Sequence, residues 1–326
     1  MKRNVMRQTL TDVYLDTIRF IYENMLLKAA VGESRKYTVV YPADVQLMPK
    51  LSESADKAGS VEVTRHRTFE AILDSGDKYK GMKTAVLNFA SATRPGGGVR
   101  SGAGAQEECL CRCSTLLPAI DKVAADEVGC SSALDTERDV TWDSFYQMHR
   151  DRHDLVHAYK VGMPRLGQWS ESGPASGIDT LYTDTCIYTP GVVICKTDTL
   201  VPERLDAENW RTTDVITCAA PNLRRRLHDG NINPASEISE EDLLTLHEMR
   251  LTRILQVALS NGVDALILGA FGCGAFMNDP RIVAEAHRRV LTKFRHNFEK
   301  IEYAVYCRDG ETKNFDAFSE LLDFRD

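Results

Sequence analysis

Glu107 and Glu108 are adjacent glutamates that stand shortly after three consecutive glycines at positions 96–98. The apolar segment Thr84–Phe89 precedes the glycines, and a helix is expected to begin near Ala105. A glycine backbone adopts unusual dihedral angles and lets another group approach closely. Between a strand and the amino end of a helix, such a backbone is typical of an anion-binding loop. The pattern predicts a phosphate cradle, the first glycine loop (residues 90–105), with carboxylates beside it.

The first glycine loop follows neither of the common nucleotide-binding motifs. No Gly-Lys-Ser or Gly-Lys-Thr comes after the glycines, and their spacing differs from Gly-x-Gly-x-x-Gly. The loop is therefore neither a P-loop nor a dinucleotide-binding fingerprint. A flexible surface turn is the alternative interpretation of the three glycines.

The two glutamates suit a single acid/base carboxylate with a neighbour that anchors hydroxyl groups. Adjacent residues of a helix point about 100° apart, so we expect the two carboxylates to diverge. One would face the phosphate site and the other would turn sideways, unlike the opposed carboxylates of a two-carboxylate glycosidase. The alternative is that both simply favour the helix dipole, as acidic residues in a first turn often do.

Several short segments of the sequence, taken together, resemble the poly(ADP-ribose) glycohydrolases, and the bacterial-type branch most closely. The triple glycine is followed, after seven residues, by Gln106, Glu107 and Glu108, which is similar to the signature of that family. The segments that carry the resemblance are 87–91, 95–98, 107–116, 188–192 and 269–280. The sequence departs from the family pattern in a charged stretch at 121–180 and at Thr189, where serine is frequent.

The resemblance implies a macrodomain-like three-layer α/β/α sandwich with a mixed central sheet and a cleft that binds ADP-ribose. It implies that Glu108 is catalytic, while Glu107 and Asn88 contact the ribose that is released. Residues 272–276 would close over the diphosphate from the other side; together with the residues that flank them, 269–279, they are called the second glycine loop. The remaining substrate contacts that it implies are Ser91, Gly96, Gly97, Gly98, Val99, Gln106, Gly272, Cys273, Gly274, Ala275 and Phe276.

The function that the resemblance implies is hydrolysis of the ribose–ribose O-glycosidic bond of poly(ADP-ribose), from the chain end, with release of ADP-ribose. Glu108 would protonate the leaving oxygen and then activate water. The partners are poly(ADP-ribose) or ADP-ribosylated protein, and no cofactor or metal is expected. One alternative is a mono-ADP-ribosyl hydrolase acting on protein or nucleic acid. Another is a non-catalytic ADP-ribose-binding macrodomain, against which the presence of both glutamates weighs.

Three other clusters have competing interpretations. On a helix, Cys109 and Cys113 share a face while Cys111 points away, so the three favour packing over a metal site. The histidines at 149, 153 and 157 favour a solvated helix face over zinc. The basic run at 223–227 is either a contact for polymer phosphates or a solvated helix end.

The elements that position these residues alternate between strand and helix patterns, which indicates an α/β fold. A helix is predicted over 239–260 with Ser239 as its cap, and another begins at Asp279 and Pro280. Residues 4–29 predict one amphipathic helix within an N-terminal extension, 1–58. The stretch 121–180 is interpreted as an insertion with a helix near 141–154, inside a single domain spanning 1–326. The predicted strands are 37–41, 61–64, Thr84–Phe89, 186–195, 213–219, 265–270 and 301–307.

Composition excludes several classes of protein. The net charge of −7 argues against a general nucleic-acid binder, which usually has a basic face. No uninterrupted apolar window reaches the ~18 residues that a membrane helix needs. The nine cysteines are odd in number and show no framework spacing, so we expect reduced thiols and a cytoplasmic location.

Overall fold

The structure is a computed structural model, and it describes residues 2–49, 51, 59–121, 123–130, 145–146, 180–226, 230, 232–308 and 310–324. The helices of that part are α1 (Lys2–Glu23), α2 (Met25–Tyr37), α3 (Glu70–Leu73), α4 (Gln106–Cys113), α5 (Leu116–Ile120), α6 (Glu240–Ser260), α7 (Pro280–Phe294) and α8 (Lys313–Leu321). The strands are β1 (Val39–Tyr41), β2 (Ser60–Thr64), β3 (Thr84–Phe89), β4 (Cys186–Ile194), β5 (Arg211–Cys218), β6 (Ala265–Leu268) and β7 (Lys300–Ala304).

The seven strands form one mixed sheet in the order β1-β4-β5-β3-β6-β7-β2. The five strands from β5 to β2 are parallel to their neighbours, and β4 runs antiparallel to both β1 and β5. Strands β3 and β6 are neighbours, so their carboxyl ends lie side by side at one edge of the sheet. The two glycine loops start from these two ends. This edge is where open α/β sheets bind ligands.

Helices cover both faces of the sheet, which gives three layers. In β3, Ala85 and Leu87 pack with α6, α7 and α8, whereas Val86 packs with α1, α4 and α5. In β6, Leu266 belongs to the first of these clusters and Ile267 to the second. Strands that are buried on both faces have nearly continuous apolar sequences, and the sequence of β6 is of this kind.

All seven predicted strands are present, and β3 has the predicted bounds. The prediction for β1 was wrong at its start, because Tyr37 ends α2 instead of beginning the strand. The caps of α6 and α7 are confirmed. The Ser239 side chain accepts from the amide of Asp242, and the Asp279 side chain accepts from the amide of Arg281.

The prediction of one N-terminal helix over 4–29 was wrong, because two helices meet at Asn24. The Asn24 side chain accepts from the amides of Leu26 and Leu27, which makes it the cap of α2. Among the residues that the structure describes, no helix is long and apolar enough to cross a membrane. The helix predicted near 141–154 lies outside the described residues, apart from Phe145 and Tyr146.

Candidate active site

The first glycine loop requires glycine at Gly97 for two physical reasons. Its φ angle is +55°, in the left-handed region that side chains rarely adopt. A Cβ atom there would also lie 2.6 Å from Oε1 of Glu108 and 2.8 Å from Oε2 of Glu107. The bare backbone at Gly97 is therefore what lets both carboxylates approach the loop.

Glu107 ties the start of the first glycine loop to the first residue of its triple glycine. Its Oε2 accepts from the amide of Ser91 at 2.7 Å, and its Oε1 accepts from the amide of Gly96 at 3.2 Å. Burial raises the pKa of Glu107 well above its ordinary value, the charge of Glu108 adds to the rise, and the two amides oppose it. Glu107 thus holds the loop in shape and takes up a proton more readily than an exposed glutamate.

Glu108 is held by only one of its two oxygens. Oε1 accepts from the amide of Gly98 at 2.8 Å. Oε2 is buried and has no hydrogen-bond partner within the described part of the chain. Buried polar atoms are nearly always paired, so an unpaired carboxylate oxygen is a candidate for contact with a substrate.

The predicted divergence of the two carboxylates was wrong. Both reach the backbone around Gly97, because the loop wraps around the first turn of α4. The Cα–Cβ bonds of Glu107 and Glu108 diverge, as adjacent positions of a helix require. Each side chain has enough rotatable bonds beyond Cβ to bring its carboxylate back to the loop. The two groups act on one loop and form one site.

Gln106 and Asn88 fix the end of β3 beside this pair. The Gln106 Oε1 accepts from the amide of Phe89 at 2.9 Å, and its Nε2 donates to the carbonyl of Leu87 at 2.7 Å. Both polar ends of Gln106 are therefore occupied by the protein, which suits a positioning role better than the predicted substrate contact. Asn88 is fully buried, and its Nδ2 donates to Oγ1 of Thr217 at 3.2 Å. Its Oδ1 has no partner among the described residues.

The second glycine loop lies beside the first and is held by the segment after β5. Gly272 has a φ of +78°, and a Cβ there would lie 2.7 Å from the amide nitrogen of the Asn278 side chain. The carbonyl of Ala275 accepts from the Arg224 guanidinium, which also stands 5.6 Å from the ring centre of Phe276. Phe276 packs against Tyr182 at a ring separation of 6.2 Å.

Two other predicted contacts in this loop have fewer neighbours. A Cβ at Gly274 would meet no described residue within 4 Å, and the Cys273 thiol donates to the carbonyl of Phe271 at 3.7 Å. The predicted residues of the two loops are therefore brought to one edge of the sheet, on neighbouring strands.

Helix α1 supports the first glycine loop from behind, which the sequence did not indicate. The Thr11 hydroxyl donates to the carbonyl of Arg100 at 3.4 Å, and Arg100 forms ion pairs with Asp121 at 2.6 Å and Glu127 at 2.5 Å. Val99, a predicted substrate contact, is buried in the cluster that α1 shares with α4 and α5. Residue types in α1 carry no signal for this contact, because it depends on how the chain folds back.

The described residues of the basic run, 223–226, are not helical. They form an extended segment in which Arg224 holds the second glycine loop and Arg226 donates to the carbonyl of Gly230 at 2.9 Å. Arg224 and Asn278, which also binds this loop, were missed as functional residues. Asn278 lies within the segment 269–280 that carries the family resemblance, but its residue type gave no further signal.

The cysteines and histidines do not form a metal site in the part of the chain that the structure describes. No group of three His, Cys, Asp or Glu there could hold a metal ion. Cys111 and Cys113 are buried, and burial raises the pKa of both thiols well above the ordinary value. The histidines at 149, 153 and 157 lie outside the described residues.

Three layers, a mixed sheet and two glycine loops at the ends of neighbouring parallel strands define a macrodomain-like α/β protein. The family model for the microbial-type PARG (poly(ADP-ribose) glycohydrolase) catalytic domain matches residues 15–197. The chain belongs to this family. No curated protein matches the sequence.

Solved structures of bacterial poly(ADP-ribose) glycohydrolases are similar over nearly the whole chain. The enzyme from Thermomonospora curvata superposes with a TM-score of 0.71 at 24% identity, covering 97% of this chain and 100% of that one. Its complex with the inhibitor ADP-HPD gives 0.68 at 24% identity, with coverages of 96% and 99%. The enzyme from Deinococcus radiodurans in complex with ADP-ribose gives 0.63 at 25% identity, with coverages of 90% and 96%.

Proposed function

We propose that this chain is a poly(ADP-ribose) glycohydrolase that hydrolyses the ribose–ribose O-glycosidic bond and releases ADP-ribose. Membership of the PARG family and similarity to an enzyme solved with ADP-ribose support the substrate class. The observation that carries the proposal is the state of Glu108. One of its oxygens is held by the Gly98 amide, and the other is buried and unpaired among the described residues.

In the proposed mechanism, Glu108 moves the proton. Its Oε2 donates a proton to the leaving 2′-oxygen, and the resulting carboxylate then takes a proton from the water that attacks C1″. The Gly98 amide keeps Oε1 fixed throughout, so Oε2 stays aimed at the reacting bond. The reaction needs neither a cofactor nor a metal, and we expect it to proceed in EDTA.

The remaining site residues are proposed to bind and orient the substrate. Glu107 maintains the shape of the first glycine loop and contacts the hydroxyls of the ribose. The unpaired Oδ1 of Asn88 would accept from a ribose hydroxyl. The diphosphate would lie between the backbones of the two glycine loops, where amide groups bind phosphate oxygens. The backbone residues proposed for these contacts are Ser91, Gly96, Gly97, Gly98, Val99, Gly272, Cys273, Gly274, Ala275 and Phe276.

The test is the variant Glu108→Gln, which keeps the size of the side chain but cannot donate and recover a proton. We expect the rate of polymer hydrolysis to fall by about 10²–10⁴-fold, while calorimetry shows ADP-ribose binding close to wild type. The exposed Glu208 offers a matched control, since Glu208→Gln makes the same chemical change before the amino end of β5, whereas the loops follow the carboxyl ends of the parallel strands. Hydrolysis by Glu108→Gln within about threefold of wild type would remove Glu108 from the mechanism.

We also propose that residues 1–326 form a single catalytic domain that works in the cytoplasm. The family match runs from residue 15 through the whole stretch 121–180, which supports treating that stretch as part of the domain. All nine cysteines are free thiols, as expected in a reducing compartment.

A further inference from the structure

A buried hydrogen-bond chain lies directly behind the second glycine loop. It begins at His247, in the middle of α6, whose Nε2 is 2.9 Å from Oδ1 of Asn278. The Nδ2 of Asn278 faces the carbonyls of Pro221 at 2.7 Å, Gly272 at 3.0 Å and Phe276 at 3.4 Å. One side-chain amide therefore joins both ends of the phosphate-binding segment to each other and to the chain after β5.

The protonation state of His247 follows from these partners. Because three carbonyls surround Nδ2 of Asn278, that atom must be the donor, and the amide cannot be flipped. Its Oδ1 therefore accepts, and His247 donates from Nε2–H. Burial lowers the pKa of His247 to about 4, so the imidazole is neutral and its Nδ1 carries no proton. That Nδ1 has no partner among the described residues.

The second glycine loop needs such support because its backbone is strained. Met277 is not a glycine, yet its φ angle is +63°, in the left-handed region. Its side chain is exposed, so packing does not hold it there. The next residue, Asn278, compensates, because its Nδ2 faces the carbonyls of both Gly272 and Phe276 and its own backbone amide donates to the carbonyl of Gly272 at 3.1 Å. Residues in strained conformations persist when their surroundings fix them in this way.

We propose that His247 is a positioning residue for substrate binding. Its Nε2–H orients the Asn278 amide, and that amide holds the segment from Gly272 to Phe276 in the shape that accepts the ADP-ribose diphosphate. The ring of His247 also packs on Phe271 in the same loop, with ring centres 6.2 Å apart. This inference rests on the proposed function. Since His247 acts through the loop and lies behind it, its loss should change affinity more than the chemical step.

The primary test compares His247→Leu with His247→Gln. Leucine removes the donor and keeps an apolar side chain in the buried position. We expect Kd for ADP-ribose and KM for the polymer to rise roughly tenfold or more, with a smaller change in kcat. Glutamine presents an amide N–H near the position of Nε2, so His247→Gln should bring Kd back to within about threefold of wild type.

His287 provides a matched control in the same helical layer. It is fully buried like His247, and the two rings are 6.4 Å apart. Its Nδ1, however, lies 2.9 Å from the hydroxyl of Tyr303 and not against the loop. His287→Leu should therefore lower the thermal stability much as His247→Leu does, while Kd for ADP-ribose stays near the wild-type value.

The outcomes separate a positioning role from a merely structural one. Equal loss of ADP-ribose affinity in His247→Leu and His287→Leu, or wild-type affinity in a folded His247→Leu protein, would overturn the inference. If His247→Leu does not fold, nitrogen–proton correlation spectra of the imidazoles in the wild-type protein decide instead. We expect the His247 proton on Nε2 at neutral pH, and a proton on Nδ1 would overturn the inference. A wild-type protein that binds no ADP-ribose but shows the Nε2–H form would contradict the proposed function, not the hydrogen-bond chain.

Discussion

Glu107 and Glu108 share the first turn of one helix, yet their hydrogen bonds give them different capacities. Both oxygens of Glu107 accept from loop amides, so releasing either one would loosen the loop. Glu108 has one held oxygen and one oxygen without a partner among the described residues, so it can exchange a proton while its position stays fixed. This difference gives a physical reason why the second of two identical side chains would be the acid/base group.

The raised pKa of Glu107 predicts a pH-dependent effect on stability. Because burial raises the pKa above 4.5 in the fold, the folded protein binds this proton more tightly than the unfolded chain does. The contribution of Glu107 to stability is therefore full below about 4.5 and is lost as the pH rises through the raised pKa. Glu107→Gln carries no charge at any pH and lacks this loss. We expect the stability of Glu107→Gln relative to wild type to improve from about pH 5 to about pH 8.

Urea unfolding of both proteins at the two pH values measures this difference, and groups common to both cancel. The change of this relative stability with pH tests the prediction. Its value at the lower pH does not, because the glutamine amide cannot accept from both loop N–H groups as the carboxylate does. A relative stability that is flat or falls with pH would mean that Glu107 is charged in the fold without cost.

At the residue scale, the sequence predicted the residue types of the site better than their contacts. The glutamate pair and the three glycines were recognisable from the spacing between them and from the segments that resemble the family. The role of Gln106 was assigned to substrate, although its amide is used by Phe89 and Leu87. The sequence alone does not separate these two roles, because a polar side chain has the same type whether it binds a ligand or the backbone.

At the scale of elements, the site depends on two neighbouring strands ending together. β3 and β6 pair in parallel, with Val86 opposite Ile267, so the loops that follow them leave the sheet side by side. Helix α4 then places its amino end at the first loop, and α6 buries His247 behind the second. The strands were predictable from continuous apolar runs. The break in the N-terminal helix at Asn24 and the support that α1 gives to the first loop depend on tertiary contacts that no local pattern encodes.

The close approach of carboxylates to Gly97 gives a prediction for the first glycine loop. Gly97→Ala adds a Cβ within 3 Å of both Glu107 and Glu108 and forces a side chain into the left-handed region. The strain should cost about 1–2 kcal/mol of stability. Displacing the carboxylates by about 1 Å should lower the rate roughly 100-fold.

Gly104 is the matched control, because it lies in the same loop and has no left-handed φ. Among the described residues, a Cβ at Gly104 would meet only the Leu10 side chain, at 3.9 Å. Gly104→Ala should therefore keep polymer hydrolysis close to wild type. Similar rates for the two alanine variants would show that the approach at Gly97 does not matter for activity.

At the scale of the whole molecule, two segments outside the sheet, α1 and the stretch 121–180, contact the first glycine loop. Helix α1 packs against the back of the first glycine loop, as Thr11 and Arg100 show. Phe145 and Tyr146, from the stretch 121–180, are fully buried and pack in one cluster with Ala90 and Ala92 just after β3. Both therefore pack against the first glycine loop, whereas the sequence predicted only that they would cover one end of the site.

These contacts of α1 and of the stretch 121–180 lead to a prediction about where the polymer is cut. We expect cleavage from the chain end with release of free ADP-ribose, because an internal unit needs an opening on both sides of the bound ADP-ribose. We also expect weak or no removal of the last, protein-linked unit. An ester to aspartate or glutamate differs from the ribose–ribose bond in leaving group and in shape, and a misplacement of about 1 Å already costs ~10²-fold in rate. Products from a long end-labelled polymer should therefore be ADP-ribose from the earliest times. Early appearance of short oligomers would overturn chain-end cleavage, and complete stripping of a mono-ADP-ribosylated acceptor would overturn the selectivity against the final unit.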